Sequence, residues 1–265
     1  MDIFYHICAL PGSDWVEIVK RQTNLIESSG LLNKVDSIYI GFLGKDKSQL
    51  DFLVKNNSGK YKIGVFSNYL RNYERLTLNF MYDYSKKQET SKKILYIHSK
   101  GITRNKGNDR GVLLWCDIME YFLIENHDEC ISLLDVYDTI GLMALNSGKP
   151  KHKILDEPHC IHYSGNFWWT TTNYIKTLTR ISESPKDMKQ DCIFWLNERW
   201  ILQNIHKKAS KHVTLWQGAL FLYGVDPKKY SNFKTQKKIQ QIIFDTKFVK
   251  GNARKSGGNL RFLEV

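Results

Sequence analysis

The sequence predicts an α/β protein built on a mostly parallel sheet with helices on both faces. Three observations lead there. Short apolar runs rich in β-branched and aromatic residues alternate with helix-periodic segments over the first 145 residues, the pattern of successive βαβ units. Hydrophobic residues make up 42% and charged residues 25%, a globular balance that excludes a disordered chain. With 265 residues, the chain can bury one large core or two small ones.

The elements follow in order. Ile3–Leu10 reads as a buried strand, and Pro11–Asp14 as a turn in which Ser13 or Asp14 caps the next helix. In that helix Trp15, Ile18, Val19, Leu25 and Ile26 share one face. Ser37–Leu43 and Tyr61–Phe66 are further strands; Arg75–Tyr84 is a helix with Leu76, Phe80, Met81 and Tyr84 inward. Ile94–His98 is a fourth strand, followed by a polar loop from Ser99 to Gly111. Val112–Leu123 and Asp128–Asp135 read as helices and Thr139–Leu145 as a strand. Beyond this the alternation weakens. Ile161–Thr170 is strand or loop with four aromatics, Asn173–Thr179 and Met188–Gln203 are helical, and Gln240–Phe244 is a short apolar piece.

The net charge of +12 is unevenly placed: residues 203–265 hold 13 Lys/Arg against 3 Asp/Glu. The expected organisation is therefore a main domain over 1–204 and a basic C-terminal extension over 205–265, packed on it or trailing from it. Such a field favours polyanions, anionic membrane surfaces or phosphorylated ligands, and is equally that of a solvated tail. Five widely spaced cysteines without C-x-x-C argue against a disulfide framework and for a reducing compartment. No apolar run approaches the ~20 residues of a membrane span, and the opening MDIFYHICAL lacks a basic n-region. A cytoplasmic location, with membrane association through the basic part, is the expectation.

Ligands of open α/β sheets sit beyond the carboxyl ends of the strands. His98, Ser99 and Lys100 leave such an end, with Arg104 close behind. A cationic pair there suits a diphosphate, and a solvated loop would look the same. Pro11, at the end of the first strand, faces the same crevice. The segment His162-Tyr163-Ser164-Gly165-Asn166-Phe167-Trp168-Trp169 sets small polar groups beside three consecutive rings, which suits a sugar. Some of these rings must be core, and alternation puts Phe167 and Trp169 on one face and Trp168 on the other. In the helix Met188–Gln203, Asp191 and Glu198 lie two turns apart on one face, about 10 Å. Each is a candidate general base, and each could equally be an exposed ion-pairing carboxylate. G-x-G-x-x-G, the P-loop and G-x-S-x-G are absent. So is D-x-D, since no two acidic residues stand at i, i+2. His152, His159 and His162 fit no standard zinc spacing.

Tyr96-Ile97-His98-Ser99-Lys100-Gly101, Trp115, Ser164-Gly165-Asn166-Phe167-Trp168-Trp169 and Asn197-Glu198-Arg199-Trp200-Ile201 together resemble glycosyltransferase-like proteins of large DNA viruses and bacteria, distantly similar to the bacterial rhamnan-synthesis F family. The resemblance covers about residues 60–202. It implies a GT-A type fold and transfer of a sugar from a nucleoside-diphosphate-sugar donor to a hydroxyl of a glycan or glycolipid acceptor, with inversion. It places His98, Ser99, Lys100, Arg104 and Pro11 on the donor, and His162, Ser164, Gly165, Asn166, Trp168 and Trp169 on the acceptor. Glu198 becomes the base, with Asp191 its competitor. Lys100 stands where metal-dependent relatives carry D-x-D, so a divalent cation, Mn or Mg, is in doubt and no residue is assigned to it. Two readings compete. One is an inactive, glycan-binding relative. The other is a nucleic-acid-binding module in which Trp216, Tyr223, Tyr230 and Phe233 stack on bases.

Overall fold

The computed structural model describes residues 1–55, 59–100, 110–146, 161–181, 196–207, 209–217, 234, 238–244 and 260–265. In chain order the N-terminal half runs β1 (Asp2–Cys8), α1 (Trp15–Ser28), α2 (Leu31–Lys34), β2 (Ser37–Leu43), α3 (Asp51–Val54), β3 (Tyr61–Ser67), α4 (Arg75–Lys86) and β4 (Lys93–His98). Then come α5 (Arg110–Glu120), a π-helical turn (Tyr121–Glu125), α6 (His127–Leu133), β5 (Thr139–Gly141) and β6 (Ala144–Asn146). The remainder is β7 (Ile161–Tyr163), β8 (Trp168–Thr171), α7 (Thr172–Lys176), a 3-10 turn (Trp200–Leu202), β9 (His212–Thr214), β10 (Gln240–Phe244) and β11 (Leu260–Glu264).

The main sheet has the order β11-β10-β9-β5-β8-β4-β1-β2-β3, and β6-β7 form a small separate pair. β1, β2, β3 and β4 are mutually parallel, as the βαβ alternation predicts. The rest departs from a mostly parallel sheet. β8 runs antiparallel between β4 and β5, and β10 is antiparallel to both β9 and β11, so the described strands of the main sheet make four parallel and four antiparallel pairings. Strands β9, β10 and β11, from the stretch after residue 205, continue the same sheet.

Alternation divides the core between the two faces. Ile3, Tyr5 and Ile7 of β1, Leu95 and Ile97 of β4, and Trp169 of β8 pack beneath α1 and α5. Phe4, Ile94, Tyr96 and Trp168 point the other way, with Leu78 and Met81 of α4, Tyr174 of α7 and Trp200. His6 and His98 follow the parity of Phe4 and Tyr96 and are register partners. Two polar side chains therefore end on the α4 face at the carboxyl edge of the sheet.

Two elements deviate from the pattern read in the sequence. In α4 the fully buried residues are Thr77, Leu78, Met81 and Ser85, while Phe80 and Tyr84 pack on the same core with partial exposure and Leu76 is only half-buried. Gly41 leaves the space Thr77 occupies, since a Cβ there would lie 1.8 Å from Thr77 Oγ1. Residues 139–145 break into β5 and β6 because Met143 adopts φ 48°, a left-handed conformation that no strand continues.

Candidate functional site

The parallel strands end in two neighbouring features. The first is an open cleft of about 490 Å³ lined by Ala9, Pro11, Gly12 and Ser13 after β1, Gly44 and Lys45 after β2, and Asn68 after β3. Pro11 and Lys45 are exposed there. Gln49 stays at the rim because its Oε1 accepts from the backbone N–H groups of Lys45 and Asp46. The second feature is a buried polar centre beyond β1 and β4.

Glu74, immediately before α4, is the hub of that centre. Tyr96 donates its hydroxyl to Glu74 Oε2 at 2.9 Å, and Asn166 Nδ2 donates to the same oxygen. His98 Nδ1 faces Oε1 at 3.6 Å. Burial pushes the Glu74 carboxyl up, but His98, His6, Lys100 and the Tyr96 hydroxyl outweigh it and hold it below the ordinary carboxylate value. Burial lowers both histidines, His6 to about 4, against the opposing pull of Glu74. His6 Nδ1 lies 2.7 Å from Thr77 Oγ1. Ser99 ties the two strand ends together: its N–H donates to the His6 carbonyl and its Oγ accepts from Cys8 N–H at 3.1 Å.

Glu198 lies in the helical segment ahead of the 3-10 turn, with a side chain only 8% exposed. Burial raises its carboxyl to about 7; the charge of Lys100 opposes the rise and Glu74 adds to it. His162 Nε2 stands 4.0 Å from Glu198 Oε2. The Lys100 ammonium sits 4.1 Å over the centre of the Trp115 ring, a cation–π contact. It thus turns inward toward two carboxyl groups. Such a group, with two acids, a lysine and histidines whose proton affinities are pulled apart, has the composition of a proton-transfer site.

The turn between β7 and β8 is held rigidly against this centre. Gly165 has φ 90° and Asn166 φ 56°. A Cβ on Gly165 would lie 2.3 Å from Met119 Sδ and 3.0 Å from the Trp115 ring, so only glycine lets the turn reach α5. The Gly165 carbonyl accepts from His98 Nε2 at 2.8 Å.

The structure thus gathers His98, Ser99, Lys100, His162, Gly165, Asn166 and Glu198, with Pro11 in the adjoining cleft. It corrects three acceptor assignments. Trp168 and Trp169 are fully buried. Trp168 stacks on Tyr96 at 4.7 Å and donates its indole N–H to Asn166 Oδ1. Trp169 donates to the Leu123 carbonyl at 2.8 Å. Both rings are core of opposite faces, and neither offers a surface to a sugar. Asn166, fully buried between Glu74 and Trp168, has both ends of its amide engaged. Ser164 is the part of the turn with some exposure. Trp216 is also buried and cannot serve as a base-stacking platform. Arg104, Asp191, Tyr223, Tyr230 and Phe233 lie outside the described residues. Among the described residues no three His, Cys, Asp or Glu side chains assemble as a metal site, and no helix is long and apolar enough to cross a membrane.

Two residues escaped the sequence reading. His6 was in principle legible, since it shares the parity of His98 once β1 and β4 are aligned. Glu74 carried no signal, because a lone acid before a helix reads as a solvated end charge.

These features define an α/β protein of Rossmann-like class, with a cleft and a buried acid–base centre at the carboxyl edge of its parallel strands. Residues 4–219 match the family described as a domain of unknown function (DUF8361), and the chain belongs to that family. No curated protein matches it. Among solved structures it is similar to HddC from Yersinia pseudotuberculosis, at 14% identity and a TM-score of 0.39, covering 69% of this chain and 82% of that one. It is also similar to 4-diphosphocytidyl-2C-methyl-D-erythritol synthase from Anaerococcus prevotii, at 10% identity and a TM-score of 0.42, covering 89% and 97%.

Proposed function

We propose that this protein transfers a glycosyl group from a nucleoside-diphosphate sugar to a hydroxyl of a glycan or glycolipid acceptor, with inversion. The observation that carries the reading is Glu198, a buried carboxyl raised to about 7 with the Lys100 charge acting on it. A base of that proton affinity works near neutral pH. The nucleoside fits the cleft after β1, β2 and β3, and Lys100 lies beyond β4 where the diphosphate would follow.

In the step proposed, ionised Glu198 accepts the proton of the acceptor hydroxyl as its oxygen bonds to the anomeric carbon. The bond from that carbon to the diphosphate oxygen breaks, and the departing oxygen keeps the electron pair. Lys100 offsets the charge that develops on it. His162 lies beside Glu198 and is suited to orient its carboxyl.

The test is Glu198→Gln, assayed against a panel of UDP-, GDP- and dTDP-sugars. The expected result is retained diphosphate binding with transfer slowed about 10²–10⁴-fold. A folded variant with the full transfer rate removes Glu198 from the mechanism.

A further inference from the structure

α5 turns Val112, Trp115, Cys116 and Met119 into the core. An indole at such a place buries a polar N–H along with its ring, and that group ordinarily finds an acceptor. Other buried indoles of this chain do. Trp168 donates to Asn166 Oδ1, and Trp169 and Trp200 donate to the carbonyls of Leu123 and Thr179, each at 2.8 Å. Trp115 does not. It is 6% exposed, and its Nε1 is sealed from water with no acceptor among the described residues. An unanswered buried donor is costly, and a phenylalanine would offer α5 a ring without one.

The orphan N–H has a definite place. A Cβ on Gly165 would lie 3.0 Å from Cζ2 of the Trp115 ring. That carbon is two bonds from Nε1, so the edge bearing the N–H lies beside the turn at Ser164–Phe167. The Lys100 ammonium stands over the face of the same ring, 4.1 Å from its centre, and makes no ion pair among the described residues. Lys100 and Ser164 both keep partial exposure, so the corner is approached from their side. Two donors thus meet beyond β4, one above the ring and one in its plane, and neither has its acceptor. A group that answers both must accept, must carry negative charge for the ammonium, and must offer oxygens on two sides of the corner. A diphosphate does all three.

We propose that Trp115 is a ligand-binding residue: its indole N–H donates to one oxygen of a diphosphate while the Lys100 ammonium, over the ring face, holds another. That this diphosphate belongs to a sugar donor rests on the transferase reading; the anion site itself does not. Binding supplies the acceptor that the free protein lacks. The donor is fixed in advance by the packing of α5, so little ordering is needed when the ligand arrives.

The experiment uses the full chain labelled with 15N and follows the indole N–H signals as pyrophosphate, UDP, GDP or dTDP is added. The Trp115 signal is assigned by its loss in Trp115→Phe. In the free protein that proton should resonate upfield, as a donor without an acceptor does, and saturating ligand should move it downfield. Trp115→Phe keeps a ring face for Lys100 without the N–H, and by calorimetry it should bind pyrophosphate about tenfold more weakly or worse. A Trp115 signal that stays in place while calorimetry shows ligand bound overturns the proposal, as does a Trp115→Phe that binds as tightly as wild type. A signal already downfield in the free protein and unmoved by ligand identifies a trapped water as the partner and overturns it too. If Trp115→Phe does not fold, the wild-type signal is assigned through its contact with Gly165, and its response to ligand decides. Pyrophosphate that moves Trp115 while no nucleotide binds upholds the anion site and defeats the transferase reading. Nucleotides that bind without moving Trp115 do the reverse. If neither pyrophosphate nor any nucleotide binds, both are overturned.

Discussion

Replacing Glu198 by Gln tests the burial of its carboxyl without any knowledge of substrate. Glutamine keeps the shape and removes the charge. Burial raises this carboxyl from 4.5 to about 7, and each tenfold change in proton affinity corresponds to about 1.4 kcal/mol. The charged form is thus disfavoured in the fold by about 3 kcal/mol. A carboxyl raised on folding supports stability fully below its unfolded value near 4.5, and that support disappears as pH rises through about 7. Wild type should accordingly lose about 3 kcal/mol from this group between pH 4.5 and 8, while the variant loses none of it. Urea unfolding of both proteins across that range provides the measurement. The stability difference between them should widen in favour of the variant from about pH 4.5 and level off above about 7. Two curves that stay parallel would refute the argument, because the carboxyl would then be solvated. The same charge that burdens the fold at neutral pH is the form a general base needs, so activity and stability should trade against each other at this residue.

Further predictions follow the same geometry. Lys100→Gln removes the charge that lowers Glu198, so the pH at which that loss levels off should move above 7; an unmoved limit would separate the two residues. Gly165→Ala places a Cβ 2.3 Å from Met119 Sδ at a φ of 90° and should cost about 1–3 kcal/mol in urea unfolding; a neutral result would mean that the turn does not pack on α5. Trp169→Phe deprives the Leu123 carbonyl of its donor and should cost about 1–3 kcal/mol, with the loss appearing in stability. Weaker ligand binding at unchanged stability would instead restore Trp169 as a surface ring. His212 is buried, with its imidazole lowered to about 3 by burial, so its contribution is present above 6.5 and drains away as pH falls toward 3. His212→Asn, which can still meet Thr139 Oγ1, should lose less stability than wild type between pH 6.5 and 4, as read by thermal melting; equal losses would discount the imidazole.

The parallel half of the sheet was legible because each strand there is a dense apolar run, and the helices that follow β1, β3 and β4 have a clear period. β2 begins and ends at the residues the pattern picked, Ser37 and Leu43. The antiparallel half was not, since β5, β6, β7 and β9 are each three residues long, too short for alternation to register. At the site, Lys100 and Glu198 stood out as charged residues beside apolar elements, and the structure brings them together. Trp168 and Trp169 misled for a physical reason: aromatic rings next to small polar residues look the same in sequence whether they bind a sugar or seal a core. Glu74 was invisible because its burial depends on a tyrosine, a histidine and an asparagine that are 22, 24 and 92 residues away.

The π-helical turn at Tyr121–Glu125 has a consequence for how this chain tolerates length changes. Its wider winding spares two carbonyls for partners outside the helix: Phe122 receives the Cys130 thiol and Leu123 the Trp169 indole. Deleting one residue there would let ordinary α winding run through, but everything downstream would rotate by about 100° and draw back by about 1.5 Å. α6 would then meet the sheet with its polar side, and the indole would lose its acceptor. That single surplus residue acts as a phase adjuster between two helices, and a shortened version of the segment would be the less stable one despite its more regular backbone.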